Sequence, residues 1–270
     1  TNININYSIN SVTNTYNWTG TLTPGSSTTV TLPTQTLSKG VYHLNVECIA
    51  ANDGNSGNNN QTSVFMLNDA GTVNQVNTFE NPTEALIAYD DSGFSPTWQR
   101  GTVTTGVVNT GTNNVYTTNF TGTYPDVKKA FLVSQCYNVS SYSNVNLKLK
   151  LAYNLEENYD IVYVQYSPNS GQNWYLLGTM QPNWYNSDRN PNTTGNDCNN
   201  CPGGQWNGTN TTLTEYSFSL NQLTGFNNLI FRIVSHSDDN TNGLGVVVDD
   251  FVIEGTILGT EDFDLNKITV

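Results

Sequence analysis

A chain of 270 residues can hold two domains, each with a core of its own. It carries 9 Lys+Arg against 22 Asp+Glu, a formal charge of −13, which opposes binding to phosphate backbones and anionic membranes and favours cations. Nucleic acid is excluded as a partner on this ground, and no apolar run of about 18 residues exists to make a helical membrane span.

The abundance of Asn, Thr, Ser, Gly and Tyr predicts β-sheets joined by polar turns, with few helices. The opening TNININYSIN lacks the basic start and apolar core of a signal peptide. Low lysine content and Asn-x-Ser/Thr triplets at Asn17, Asn119, Asn138, Asn192 and Asn207 nevertheless fit an exported protein, although an Asn/Thr-rich chain also produces such triplets by chance.

Residues 3–67 read as short alternating strands, INYSI, NTYNWTGTL, STTVTL, GVYHLNVECIA and TSVFML, separated by the turns PGSS, SKG and NDGNSGNNN. The pattern is that of an immunoglobulin-like β-sandwich with about five strands where about seven are usual, so a truncated N-terminal domain is expected over 1–70. The phrase TLTPGSSTTVTLPTQTLSKGVYHLNVE resembles the CARDB-type adhesion modules of bacterial surface proteins. That resemblance implies a spacer or adhesion role with no chemistry attached.

A hinge is expected at 71–77, followed by a second β-unit over 78–256. Its candidate strands include NVNLKLKLAY, DIVYVQYS, NWYLLGTM, TEYSFSL, NLIFRIVSH and GVVVDDFVIEG. The run VVVDDFVI is apolar on both faces, which predicts a central position in a sheet. Together TWQRG, KKAFLVSQCYNVSS, LEENYDIVYVQYSPNSGQNWYLLG and GVVVDDFVIEG resemble the MAM-like jelly rolls of secreted Bacteroidota proteins, of the cleaved-adhesin and choice-of-anchor type. The closing ILGTEDFDLNKITV resembles the linker to a type IX secretion C-terminal sorting domain, so 257–270 is expected to lead to such a domain, itself absent. The expected fold class is all-β, an Ig-like sandwich followed by a jelly roll.

The jelly-roll resemblance implies a structural Ca2+ tying the first strand to the last, with Glu80, Asp90, Asp91, Asp249 and Asp250 as the matching acids. It also implies core positions for Trp98 and Trp174, and structural roles for Glu157, Tyr159 and Asp160: Asp160 bonding a turn, Tyr159 filling the core. A weaker calcium reading comes from DDNTNGLGVVVDD, where Asp238, Asn240 and Asn242 have the spacing of an EF-hand loop. A strand through 245–249 would carry Asp249 away from that loop.

Cys198 and Cys201 have zinc-ligand spacing, but a closed site needs four ligands. A small disulfide is the preferred reading in an exported chain. Cys48 and Cys136 are expected to be buried free thiols, with a bridge between them as the alternative. No H-E-x-x-H, G-x-S-x-G or phosphate loop occurs, and the two histidines, His43 and His236, fall in different units, so no catalytic residue is assigned.

Between Trp184 and Trp206 lies an aperiodic stretch longer than ordinary connections, and such loops are functional or disordered. Trp184, Tyr185 and Trp206 are therefore the expected ligand-binding aromatics, with folding back onto the sandwich as the alternative. The functional expectation is a secreted or cell-surface, non-catalytic adhesion region exported by the type IX machinery, calcium-stabilised and binding a glycan or protein through 183–208. The alternatives are the accessory domains of a zinc metallopeptidase whose catalytic domain lies upstream, and a ligand-free stalk.

Overall fold

The computed structural model describes residues 2–91, 96–192, 198 and 200–259. The chain divides after Asp69 into two units. In the first, β1 (Asn2–Ile9), β2 (Val12–Thr19), β3 (Gly40–Ala50) and β4 (Asn60–Leu67) form one antiparallel sheet in the order β2-β1-β3-β4. Asn10 and Ser11 join β1 to β2 with φ of 46° and 71°, the left-handed pair that a two-residue hairpin of the native twist requires. Ile5 and Tyr7, two apart on β1, are the only buried side chains of this unit among the described residues.

STTVTL, expected as a strand, is not one: residues 27–32 have no ladder partner, and β2 and β4 remain the sheet edges. Alternation of Val30 and Leu32 with polar residues suits a strand, but no neighbouring strand is within pairing register. Among the described residues the first unit is one sheet and not a two-sheet sandwich.

The second unit holds two five-stranded antiparallel sheets. One contains β5 (Ile87–Asp90), β8 (Lys129–Tyr137), β10 (Ile161–Ser167), β11 (Tyr175–Leu176) and β13 (Leu229–His236), in the order β11-β10-β13-β8-β5. The other contains β6 (Gln99–Gly101), β7 (Val115–Thr117), β9 (Tyr142–Asn154), β12 (Thr209–Ser219) and β14 (Gly245–Ile257), in the order β12-β9-β14-β7-β6. One hydrophobic cluster takes Leu132, Val164 and Phe231 from the first sheet and Leu147, Leu149, Val246 and Val248 from the second. This is a β-sandwich core, and the chain is all-β apart from short 3-10 turns.

β14 lies at the centre of its sheet, as the double-sided apolar run predicts. Val246 and Val248 face the main core, whereas Val247 joins Ala152 and Val115 under a cover made by Val103 and Val107. The expected hinge at 71–77 is instead laced into the second unit. The backbone N–H of Gly71 donates to Cys136, Asn74 to Ile253 and Asn77 to Phe251, so this stretch satisfies its polar backbone on β8 and β14.

Gly245 opens β14 at φ 92°, and a Cβ there would meet Asn119 and the Thr118 hydroxyl, which accepts the Val246 N–H. Gly245→Ala is expected to destabilise the second unit by about 1–3 kcal/mol. A lowered urea midpoint at unchanged slope would register that loss, and an unchanged midpoint would refute it.

Candidate functional site

The segment 183–208 is held from within. Trp184, Tyr185 and Trp206, expected to present flat faces to a ligand, are 2 %, 2 % and 1 % exposed. The Trp184 Nε1–H donates to the Leu177 carbonyl and the Trp206 Nε1–H to the Trp184 carbonyl, both at 2.9 Å. The Tyr185 hydroxyl accepts the Val164 N–H and donates to the Val164 carbonyl. The rings pack edge to face, with Trp184 4.9 Å and Tyr185 4.6 Å from Trp206 between centroids.

The ligand assignment of these aromatics is therefore corrected. Each ring finds an internal partner for its polar atom, which removes the main cost of burying so large a side chain. A backbone bridge from Ser187 to Gln205 fastens the two limbs of the segment, and one from Val162 to Trp206 ties the second limb to β10. Cys198 and Cys201, both buried, form a disulfide with their Cα atoms 5.3 Å apart. The residues between the limbs, 193–197 and 199, lie outside the described residues. Cys48 and Cys136 are free thiols, Cys48 exposed and Cys136 half-buried.

The expected calcium ligands are not brought together. Glu80 accepts two hydrogen bonds from Asn114, which hold its carboxyl below the usual range. Asp90 is buried and accepts from the Thr97 N–H and hydroxyl, while Asp91, just past the end of β5, is exposed. Asp249 is 3 % exposed and accepts from Asn113, whereas Asp250, at φ 50° in a bulge, turns to Lys150 at 2.6 Å. Glu80, Asp90, Asp249 and Asp250 each have a protein donor of their own, and the five acids do not converge on one point.

Among the described residues the acids that converge are Glu156, Asp160 and Asp238, each offering an oxygen within 4.8 Å of the others. Asp160 is fully buried, accepting from the Tyr124 hydroxyl and, at 2.8 Å, from the Asp238 N–H. Burial, and then the neighbouring acids, push the Glu156 and Asp160 carboxyls up. Glu156 Oε2 is buried without a partner. Of the weaker EF-hand set only Asp238 joins this group; Asn240 donates its N–H back to Asp238, and Asn242 Oδ1 has no partner. Asp160 does bond a turn, as expected, but it also carries this cluster. Two carboxylates four residues apart in LEENYD were the available sign.

Two cavities adjoin these features. One, of about 350 Å³, borders the cluster at Asp238 and is lined by Tyr159, His236, Asp239 and Asn200. Tyr159 is 43 % exposed there and does not fill the core. Burial, then Lys129, lowers the His236 imidazole to about 4, so it is neutral near pH 7. The other, of about 450 Å³, is lined by both limbs of the 183–208 segment. Trp98 is core, but Trp174 is only half-buried, stacked over Arg232 at 4.1 Å.

No family model and no curated protein matches this chain. Among solved structures it is similar to the K1 cleaved adhesin domain of Lys-gingipain from Porphyromonas gingivalis W83, at 12 % identity over 69 % of this chain and 99 % of that one, with a TM-score of 0.40. The K2 cleaved adhesin domain of Lys-gingipain aligns at 17 % identity over 66 % and 96 %, with a TM-score of 0.39. A structure of carbohydrate-binding modules from the β-sandwich superfamily aligns at 10 % identity over 94 % and 85 %, with a TM-score of 0.34. At these values the likeness is distant.

Burial, then the adjacent Asp250, raises the Asp249 carboxyl to about 6. A free Asp titrates near 3.9, so between about pH 4 and 6 the folded chain binds more protons than the unfolded one, and stability falls as pH rises through that window. The penalty, about 2–3 kcal/mol, is complete above pH 6. In chelator-containing buffer, the stability gain of Asp249→Asn over wild type should therefore grow from pH 4 to 6 and then level off. His236 contributes equally to both proteins. A difference independent of pH would show that Asp249 is not held in this way.

Proposed function

We propose that this chain is a non-catalytic adhesion region of an exported protein, its second unit stabilised by Ca2+ at Glu156, Asp160 and Asp238, with 183–208 as the ligand-bearing segment. The observation that carries the cation is the convergence of three carboxylates on one point with Glu156 Oε2 buried and unpartnered. Like charges so placed repel, and a buried acceptor without a donor costs about 1–3 kcal/mol. A hard cation relieves both. The donor set is all oxygen, with neither thiolate nor imidazole in it, which suits calcium and disfavours zinc. When bound, calcium would supply the positive charge that these residues lack; Asp160, fixed by Tyr124 and the Asp238 backbone, would hold the site in place.

Export is supported by the Cys198–Cys201 disulfide, which persists in oxidising surroundings, and by the acidic, lysine-poor composition. Export by the type IX machinery is supported by the resemblance of ILGTEDFDLNKITV to a sorting-domain linker. Adhesion is supported by a rigid β-scaffold that presents a pinned, polar segment beside two cavities.

Calcium at about 100 times its dissociation constant stabilises by about 2.7 kcal/mol, a rise of roughly 5–10 °C in Tm for a unit of this size. Thermal melts in excess Ca2+ and in EDTA should differ by that order for wild type, and the difference should vanish in Glu156→Gln and Asp238→Asn. Equal melts for wild type, with no calcium retained after dialysis, would defeat the reading.

A further inference from the structure

The cavity at the 183–208 segment is a built polar cleft. Asn186, Asp188 and Arg189 come from its first limb, Asn207 from its second, and Glu157 and Asn158 from the turn before β10. The Asn186 amide fixes the opposite limb: its Oδ1 accepts the Asn207 N–H at 3.1 Å, and its Nδ2 donates to the Asn207 carbonyl at 3.0 Å and to the Tyr153 hydroxyl. With its backbone held in this way, Asn207 is 7 % exposed, lines the cleft, and has a buried Nδ2 with no partner. Gln205, two residues before it, has its Nε2 paired with the Ser187 hydroxyl and the Arg189 carbonyl; its Oε1 is buried without a partner but does not line the cleft. A buried donor left unpaired is rare in a folded protein and is satisfied when a ligand brings an acceptor to it.

The lining narrows the ligand class. The volume of about 450 Å³ falls within the ~300–1,000 Å³ of small-molecule sites, but such sites are mostly apolar and here Met180 is the one large apolar lining residue. The lining holds two carboxylates, Glu157 and Asp188, and one guanidinium, Arg189, on a chain of charge −13, which disfavours phosphate and sulfate. Among the described residues no third acid joins Glu157 and Asp188 in a group that could hold a metal ion. Of the bordering backbone, Ser187 is paired with Gln205, while Thr209 pairs with Asn154 on one side only and begins the edge strand β12, so a peptide added to that edge is a separate outcome of the test.

The lining side chains favour a ligand that donates and accepts hydrogen bonds at neighbouring points and carries no charge. Amides, carboxylates and a guanidinium match vicinal hydroxyls in both senses, and the Met180 thioether offers a soft surface for the C–H face of a ring. Accordingly, we propose that this cleft binds a neutral saccharide, with Asn207 Nδ2 donating to a sugar oxygen and Asp188 accepting from a hydroxyl. The assignment rests on the reading of 183–208 as the ligand-bearing segment and names its ligand class.

The test immobilises neutral gluco-, manno- and galacto-oligosaccharides on one surface and serum and matrix proteins on another, and measures capture of the whole chain in calcium buffer. Wild type should bind at least one oligosaccharide class, and Asp188→Ala and Asn207→Ala should each weaken that binding tenfold or more at unchanged Tm. If Asn207→Ala fails to fold, Asp188→Ala decides, because Asp188 is an exposed side chain of the cleft. Absence of oligosaccharide binding by wild type overturns the saccharide assignment; if protein capture is then lost in Asp188→Ala, the segment stands as the binding surface for another ligand class. Binding indifferent to both variants overturns the cleft and the reading of the segment together.

Discussion

The limbs of the 183–208 segment depend on three polar atoms that Trp184, Tyr185 and Trp206 carry into the core of the second unit. Indole and phenol groups are costly to bury unless each N–H or O–H meets a partner. Here the Trp184 and Trp206 indoles donate to carbonyls of Leu177 and Trp184, and the Tyr185 hydroxyl closes on both backbone groups of Val164. These bonds tie an aperiodic segment to the edge of β10 and leave Asn186 and Asp188 outward. The cleft with Asn186, Asp188 and Asn207 exists because the aromatics beneath it are anchored.

Electrostatics divides the acids of a chain of charge −13 into two sets. Glu80, Asp90 and Asp250 each have a donor or cation of their own, from Asn114, Thr97 and Lys150 respectively. Glu156, Asp160 and Asp238 face one another, and desolvation raises the first two. The second arrangement is the one in which three acids converge on a point that a single cation would occupy, which is why convergence is a better guide to a metal than the number of acids in a strand.

The parts that could be read from the sequence are those set by local pattern. GVYHLNVECIA coincides with Gly40–Ala50, and the apolar run of β14 sits at mid-sheet because Val246 and Val248 bury on one side and Val247 on the other. Alternation misled at 27–32, where no neighbouring strand supplies the other half of a ladder. Composition could not tell whether Trp184 and Trp206 point inward, since that depends on carbonyls of Leu177 and Trp184 being within reach. Nor could it show that Asp238 meets Asp160 across 78 positions, a contact made by the turns that follow β13 and precede β10. The cleft was hidden for the same reason: the burial of Asn207 follows from the Asn186 amide clamped on its backbone, a contact between the two limbs of the segment.

The measurement that bears most directly on the anchored segment is hydrogen exchange of the tryptophan indole N–H groups, followed by NMR. The Trp184 and Trp206 indoles should exchange only through opening of the second unit, with protection matching that of the β14 backbone amides. Exchange of either indole at the rate of an exposed side chain would contradict the account and restore the aromatics to the surface.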